Sequence, residues 1–328
     1  RLGSSPRHRG CEGGCGVTRL DRPVISVGNL STGGTGKTPM VHLIINALKQ
    51  NGHHPAIAMR GYGAKPGEKG DEQREHELAL PGVPIVAQPN RLSGLSALFA
   101  TSKGERVDCV VLDDGFQHRK IARELDIVLI DATRPPNRDA LLPRGHLREP
   151  IGSLSRAGLV ILTHAERVDV DELRRIEAML RRENARCPIL RARHVWAGCT
   201  RFSRVEDRWE SESMAAEQLR ARRVRAVCGI GNPDAFRAML VQHGLEVEAM
   251  FELPDHAKFG ESDLHTWISQ RDGAEIQDFF MTRKDWVKAA GLGAWPVGLS
   301  VIVPELAIDL GDDLGPLEDA LNGVWASR

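Results

Sequence analysis

The sequence has little of three features that mark common protein classes: cysteine, long apolar runs and net charge. Six cysteines in 328 residues are too few for a disulfide scaffold, and Cys11 and Cys15 lack the partners that a closed zinc site needs. The longest apolar runs, 158–163 and 297–303, are far shorter than the roughly 18 residues of a membrane span. Lys+Arg and Asp+Glu each number 44, so no global electrostatic attraction to nucleic acid is indicated. We therefore expect a cytoplasmic protein with reduced thiols.

The chain has enough apolar material for a packed core, and its length favours two domains. Residues 1–22 are basic and glycine-rich and lack the apolar segment of a secretory signal, so we expect a disordered or incomplete start there. The composition changes near residue 196, which is the first of the six tryptophans in the sequence. We predict a larger core domain over 23–195, a connecting hairpin or linker over 196–222, and a smaller C-terminal domain over 223–328.

Short buried strands alternate with amphipathic helices over the first half of the chain. Continuous apolar runs predict strands at 23–30, 55–63, 107–115, 125–132 and 157–164. Helices are predicted between them, and the first carries one apolar face made of Val41, Ile44, Ile45 and Leu48. This alternation is typical of an α/β fold with a mostly parallel sheet covered by helices on both faces. A βα unit at 224–244 predicts a second, smaller α/β domain.

A glycine-rich loop, STGGTGKT, joins the first strand to the first helix. Backbone N–H groups of such a loop, together with the helix N-terminus, bind phosphate oxygens. Lys37 is expected to reach the β- and γ-phosphates, and Thr38 to bind Mg²⁺ through its hydroxyl. The usual pattern has glycine at the position of Ser31, and Gly33 and Gly34 supply the permissive backbone instead. The predicted nucleotide contacts are Ser31, Thr32, Gly33, Gly34, Thr35, Gly36, Lys37 and Thr38.

Two adjacent acids end the strand VVLDDG. Ligands bind at the carboxyl ends of strands in sheets of this kind, so Asp113 or Asp114 is expected to contribute to the magnesium site. The sequence leaves open which of the two carboxylates contacts the metal. Gln117 and His118 follow closely, although a lone histidine is more often structural than catalytic.

The same machinery serves a phosphotransferase and a nucleotide-driven switch. GTPases of this type read guanine with NKxD after a late strand, but His164 and Glu166 stand here in place of the lysine and the aspartate. ATP is therefore the expected nucleotide. Cys- or His-rich tracts for metal delivery are also absent from the sequence. A P-loop GTPase or ATPase switch, or a metallochaperone, remains the alternative.

Several further motifs occur in a fixed order over residues 23–285. These are GNLSTGGTGKTP, RGYG, GDE, LDDGFQHR, LLPRGHLREP, GIGNP, PDH and TRKD. Arginine binds phosphate through paired hydrogen bonds, which makes Arg60, Arg144 and Arg148 candidates for holding a phosphate of the substrate. Together the series resembles the tetraacyldisaccharide 4′-kinases, the lipid A 4′-kinases of Gram-negative bacteria.

The resemblance implies an ATP- and Mg²⁺-dependent transfer of the γ-phosphate to the 4′-hydroxyl of a tetraacylated glucosamine disaccharide 1-phosphate. It implies a peripheral enzyme at the cytoplasmic face of the inner membrane, with no nucleic acid or protein partner. The family's acidic residue in GDE falls on Asp71, and the histidine of its DH motif falls on His256. The resemblance assigns these two residues to activation of the sugar hydroxyl. It also implies that Glu72, with the segment 113–118, helps to arrange Mg²⁺ and phosphates.

The sequence departs from the family pattern at three places. An apolar, amphipathic N-terminal segment is usual, but RLGSSPRHRGCEGG stands there, which suggests a truncated or misassigned start and bears on membrane docking. DHAKF stands where a second histidine often follows the first. TRKD stands where TEKD is usual, so Arg283 reverses a charge.

Overall fold

The computed structural model describes residues 16–61, 69–219, 222–230, 233–254, 257–269, 278–293, 295–311 and 314–326, apart from the side chains at 216, 217 and 235. These residues form two β-sheets with helices packed against them. The four described cysteines are buried free thiols, consistent with the absence of a disulfide scaffold. In the described part of the chain, no helix combines the length and apolar character needed to cross a bilayer.

The first sheet has seven parallel strands in the order β3-β2-β4-β1-β5-β6-β7. The strands are β1 Val24–Asn29, β2 Pro55–Met59, β3 Ile85–Ala87, β4 Cys109–Asp113, β5 Leu125–Asp131, β6 Leu159–Thr163 and β7 Ile189–Arg191. Every residue of β1, β2, β4 and β6 is buried, because helices cover both faces of the sheet. The predicted α/β fold with a mostly parallel sheet is confirmed.

Within the described residues, five helices lie between the strands of this sheet in the chain. They are α1 Lys37–Gln50, α2 Asp71–Ala79, α3 Arg91–Phe99, α4 Ser102–Glu105 and α5 Val170–Glu183. The predicted apolar face of α1 is buried in full, with Met40 added to it. The helix ends where Gly52 takes a positive φ of 84° and its N–H bonds to the carbonyl of Lys49. The face follows from the helical period of the apolar side chains.

The second sheet has six strands in the order β11-β10-β12-β13-β8-β9. They are β8 Arg193–Val205, β9 Arg208–Met214, β10 Arg223–Cys228, β11 Glu246–Glu252, β12 Asp278–Met281 and β13 Ser300–Asp309, and they pack with α6 Pro233–Gln242, α7 Glu261–Ser269 and α8 Arg283–Ala289. Tryptophans at 267, 286 and 295 form part of one buried cluster on this sheet. The predicted second sheet-containing unit near the C-terminus is confirmed.

The predicted division at 196–222 stays a prediction, but two features of the fold bear on it. Strands β8 and β9 form an antiparallel hairpin, and β8 also pairs with β13, so the hairpin is built into the second sheet. The last helix, α9 Gly315–Ala326, buries Leu317, Leu321 and Val324 in the core of the first sheet. An apolar stripe on a helix has to be covered, and the first sheet provides that cover.

Replacing Leu321 by alanine should destabilise the protein by about 2–5 kcal/mol, since it leaves a cavity where α9 meets the first sheet. Leu321 is only 2% exposed, whereas Leu314, just before the same helix, is 43% exposed. Leu314→Ala is therefore the matched control and should change the free energy of unfolding by less than about 0.5 kcal/mol. Chemical denaturation of both variants measures the difference. Equal effects would contradict the docking of α9.

Candidate active site

The loop between β1 and α1 lies at the carboxyl edge of the first sheet. Thr35 is buried, and its hydroxyl accepts a hydrogen bond of 2.9 Å from the side-chain amide of Asn29. Gly33 and Gly34 are exposed. Because no side chain caps α1 in the described structure, the first N–H groups of this helix remain available to an anion. The loop therefore has the arrangement that a phosphate group requires.

Gly36 is the residue at which the loop enters α1. Its φ is 79°, in the left-handed region, and a Cβ atom there would lie 2.7 Å from Nε2 of His194. Both the backbone conformation and the space therefore require glycine. His194 stacks on His164 with 4.2 Å between ring centroids. His164, which stands where a guanine-reading loop carries lysine, is thus one member of a stacked histidine pair.

Lys37 extends from the first residue of α1 toward two acids at the end of β4. Its Nζ atom lies 3.4 Å from Oδ1 of Asn29 and 3.7 Å from Oδ1 of Asp114. Strand β4 pairs with β1 in a register that sets Asp113 opposite Val27. The end of β4 and the phosphate loop therefore share one edge of the sheet, so the sheet brings the predicted lysine and acids together.

The two acids differ in their surroundings. Asp113 is 6% exposed, and its Oδ2 atom accepts a 3.0 Å hydrogen bond from Nε2 of His76. Asp114 has a positive φ of 49°, and its Oδ2 atom accepts a 2.7 Å bond from Arg148. The Oδ1 atoms of both acids are buried without a hydrogen-bond partner in the described structure. Asp113 thus keeps one carboxylate oxygen available to a cation, whereas Oδ1 of Asp114 faces the ammonium group of Lys37.

The turn that follows the acids is held against the first strand. Gln117 donates a 2.8 Å hydrogen bond to the carbonyl of Asn29, and Arg148 donates to Gln117 over 3.3 Å. A Cβ atom on Gly28 would lie 2.7 Å from the backbone nitrogen of Phe116, so glycine allows this close approach. Arg148 is therefore held next to the end of β1, where the predicted nucleotide loop begins. Arg60 and Arg144, the other two candidate arginines, are exposed.

Asp71 and Glu72 are the first two residues of α2. Glu72 is exposed, but partial loss of hydration raises its pKa, and the negative charge of Asp113 raises it further, while Lys37 opposes both effects. Glu72 therefore lies in the same electrostatic environment as the predicted phosphate and metal residues. Asp71 is half-buried. His256, the predicted partner of Asp71, lies outside the described residues, as do residues 62 and 63 of the RGYG motif.

A magnesium site can be tested against these side chains. Within the described residues, no group of three or more His, Cys, Asp or Glu side chains is arranged to hold a metal ion. Magnesium bound to a nucleotide needs few protein ligands, because phosphate oxygens and waters supply most of its coordination. The Oδ1 atom of Asp113, which has no hydrogen-bond partner in the described structure, fits that limited role, and Oδ1 of Asp114 lies nearby beside Lys37.

The motif search missed three residues that the structure brings to this site. His76 contacts Asp113, and the buried Arg91 donates a 3.2 Å hydrogen bond to the carbonyl of Asp114. His42 contacts His76 at 3.0 Å. The spacing of Glu72 and His76 could have placed these two side chains on one face of α2. No comparable signal marks Arg91 or His42.

The helix α2 also meets the second sheet. It contacts α8, whose first residue is Arg283. Arg283 forms a 3.3 Å ion pair with Glu305 of β13, and its positive charge acts on the partly buried Glu75 of α2. The reversed charge noted in TRKD is therefore compensated locally by two glutamates. This contact brings the second sheet to the helix that begins with Asp71 and Glu72.

Comparisons with known proteins agree with this geometry. A family model described as tetraacyldisaccharide-1-P 4′-kinase matches residues 7–316. The tetraacyldisaccharide 4′-kinase of Anaeromyxobacter dehalogenans is 36% identical over 94% of this chain and 83% of its own length. That of Geobacter metallireducens is 34% identical over 94% of this chain and 90% of its own length.

A solved structure is similar over nearly the whole chain as well. The "apo" form of LpxK from Aquifex aeolicus, in complex with ATP, superposes with a TM-score of 0.70 at 27% identity, covering 94% of this chain and 90% of that one. The family model and the curated relatives extend well beyond the phosphate loop into the second sheet. The motif resemblance is thereby confirmed, and the chain belongs to the tetraacyldisaccharide-1-P 4′-kinase family.

Proposed function

We propose that this protein transfers the γ-phosphate of ATP to the 4′-hydroxyl of a tetraacylated glucosamine disaccharide 1-phosphate, a precursor of lipid A. One observation carries the proposal: in a chain of this family, Lys37 of the phosphate loop lies at the same sheet edge as Asp113 and Asp114. Phosphoryl transfer depends mainly on positioning and charge neutralisation, and this edge provides groups for both.

The loop residues 31–38 would hold the triphosphate. Backbone N–H groups at the start of α1 would bind phosphate oxygens, and Lys37 would neutralise the charge that develops on the transferred group. Thr38 and Asp113 would hold Mg²⁺, with Asp114 and Glu72 near it. The bound ion would supply charge neutralisation at the phosphates. Arg148 would fix Asp114 through their 2.7 Å contact.

The acceptor hydroxyl needs a group that takes its proton as the new P–O bond forms. Asp71 suits this role, because it lies half-buried beside Glu72 at the N-terminus of α2. A carboxylate within hydrogen-bond reach of the sugar hydroxyl would accept the proton while ADP leaves. His256 would support Asp71 in this step, as the family resemblance implies.

The phosphate that the lipid already carries needs a separate cation. Arg148 pairs with Asp114, whereas Arg60 and Arg144 are both exposed, and Arg144 fits best because two exposed leucines lie close to it in sequence. Leu141 and Leu142, close to Arg144 in sequence, are 46% and 53% exposed. Exposed leucines beside an arginine suit a surface that binds a phosphorylated lipid, because the leucines can contact acyl chains while the arginine binds the phosphate. We place the enzyme peripherally at the cytoplasmic face of the inner membrane.

Transfer of labelled phosphate to a lipid A disaccharide precursor tests the proposed function. The purified protein is incubated with the lipid, Mg²⁺ and γ-labelled ATP, and the lipid is extracted and counted. Unlabelled GTP competes in a parallel reaction. We expect ATP-dependent labelling of the lipid that excess GTP does not suppress. Hydrolysis that ignores the lipid and prefers GTP would instead identify a nucleotide-driven switch.

A further inference from the structure

A chain of hydrogen bonds connects the end of β4 to the interior of α1 through α2. His76 is fully buried, and its two ring nitrogens have different partners. Nε2 lies 3.0 Å from Oδ2 of Asp113, and Nδ1 lies 3.0 Å from Nε2 of His42. The rings of His42 and His76 meet edge to face, with 5.1 Å between centroids. The three side chains thus form a single network, in which His76 and Asp113 are buried and His42 is partly buried.

The protonation of this network follows from its surroundings. Burial lowers the pKa of His42 to about 3, so its ring is neutral and can accept a hydrogen bond. Burial alone would also lower the pKa of His76, but the hydrogen bond and charge of Asp113 outweigh it and raise that pKa. Because a carboxylate oxygen can only accept, Nε2 of His76 is the donor to Asp113, whichever histidine donates in the contact with His42. Its Nε2–H group fixes one oxygen of Asp113 and leaves the other unpartnered.

The two histidines of the network lie one helical turn from predicted site residues on the same helices. Thr38 and His42 are four residues apart on α1, and Glu72 and His76 are four residues apart on α2. Side chains with this spacing share one face of a helix. The network therefore joins the three elements that carry Thr38, Glu72 and Asp113, one helical turn away from Thr38 and Glu72.

We propose that His76 is a positioning residue: its hydrogen bond to Asp113 orients that carboxylate, and its contact with His42 locks α2 to α1 beneath the metal and phosphate site. This inference rests on the proposed function, since the metal role of Asp113 belongs to that proposal. Groups that orient metal-binding carboxylates act on affinity without touching the metal. A histidine that only filled space between the helices would leave metal affinity unchanged.

The test measures metal binding separately from turnover. Binding of Mn²⁺ in the presence of a non-hydrolysable ATP analogue is followed by electron paramagnetic resonance, and unfolding temperatures are measured in parallel. His76→Leu and His76→Phe remove the donor, whereas His76→Gln keeps an N–H near the position of Nε2. We expect the donor-less variants to lose about 10–100-fold in Mn²⁺ affinity and the glutamine variant to recover most of it.

His53→Leu is the matched control. His53 lies 3.2 Å from Asp108, which immediately precedes β4, so this histidine–aspartate pair is at the opposite end of the same strand. Its loss should leave Mn²⁺ affinity unchanged. If a folded donor-less variant binds Mn²⁺ within about twofold of the unmodified protein, or if His76→Gln loses as much affinity as His76→Leu, the positioning role is wrong. Two variants without the donor are made, so that the role of His76 can be tested with either of them if the other does not fold.

Failure of the proposed function has a different signature. If Asp113→Asn leaves Mn²⁺ affinity unchanged, the metal assignment of Asp113 is wrong whatever the His76 variants do. If the unmodified protein does not label the lipid, the kinase proposal fails although metal binding is intact. Loss of affinity in Asp113→Asn with none in His76→Leu overturns only the role of His76.

Discussion

Replacing Lys37 by alanine should reduce kcat for phosphate transfer by at least about 10²–10³-fold. The ammonium group of Lys37 is 3.7 Å from Asp114 and 3.4 Å from Asn29, and its side chain is largely enclosed. An enclosed positive charge acts strongly on the charge that develops at the transferred phosphoryl group, because little water screens it. Steady-state rates of lipid labelling at saturating ATP measure the loss.

Lys49→Ala provides the control within the same helix. Lys49 lies in the last turn of α1 and is exposed, so its removal changes the charge of the helix without touching the loop. The activity of that variant should stay within about twofold of the unmodified protein, as is usual for exposed residues away from a site. Near-normal activity of Lys37→Ala would contradict the assignment of residues 31–38 to the nucleotide.

Replacing Asp71 by alanine should reduce kcat by about 10²–10⁴-fold while ATP affinity changes little. The expected split follows from its place in the structure. Asp71 begins α2, whereas the phosphate loop is formed by the end of β1 and the start of α1. Its loss would remove the proton acceptor for the sugar hydroxyl but none of the phosphate contacts. Single-turnover labelling and equilibrium titration with an ATP analogue separate the two quantities.

Asp171→Ala is the matched control for Asp71→Ala. Asp171 also lies in the first turn of a helix, α5, and it is exposed, so its removal reproduces the loss of a favourable charge at a helix N-terminus. This variant should retain full activity. A large loss of ATP affinity in Asp71→Ala with kcat intact would move Asp71 from the chemical step to nucleotide binding.

Local sequence predicted the parts of the site that are contiguous in the chain. The strand, the loop and the first helix follow one another from Val24 to Gln50, so hydrophobic period and glycine spacing are sufficient to identify them. Asp113 could also be placed, because it ends a continuously apolar run, and such runs form buried strands whose carboxyl ends carry ligands. The side chains that contact Asp113 and Asp114 could not be predicted in this way, because His76 and Arg148 come from other segments of the chain.

Non-local contacts limited the rest of the prediction. His76 and Asp113 are separated by 37 positions, and neither belongs to a pattern that links them. The last helix buries Leu317 and Leu321 against the first sheet, although β13 before it belongs to the second. A sequence pattern shows that an apolar stripe must be covered, but it does not show which surface covers it.

The amino-acid sequence by itself determined the parallel sheet, the phosphate loop and the family, because each depends on short-range periodicity or on motifs in fixed order. Only the tertiary structure shows which oxygen of Asp113 has no hydrogen-bond partner and that Arg148 pairs with the carboxylate of Asp114. It also shows that α2 is joined to α1 through His42 and His76. These contacts depend on how strands and helices distant in the chain pack together. That packing sets which atoms come within hydrogen-bond distance of one another, and local propensity carries no information about those distances.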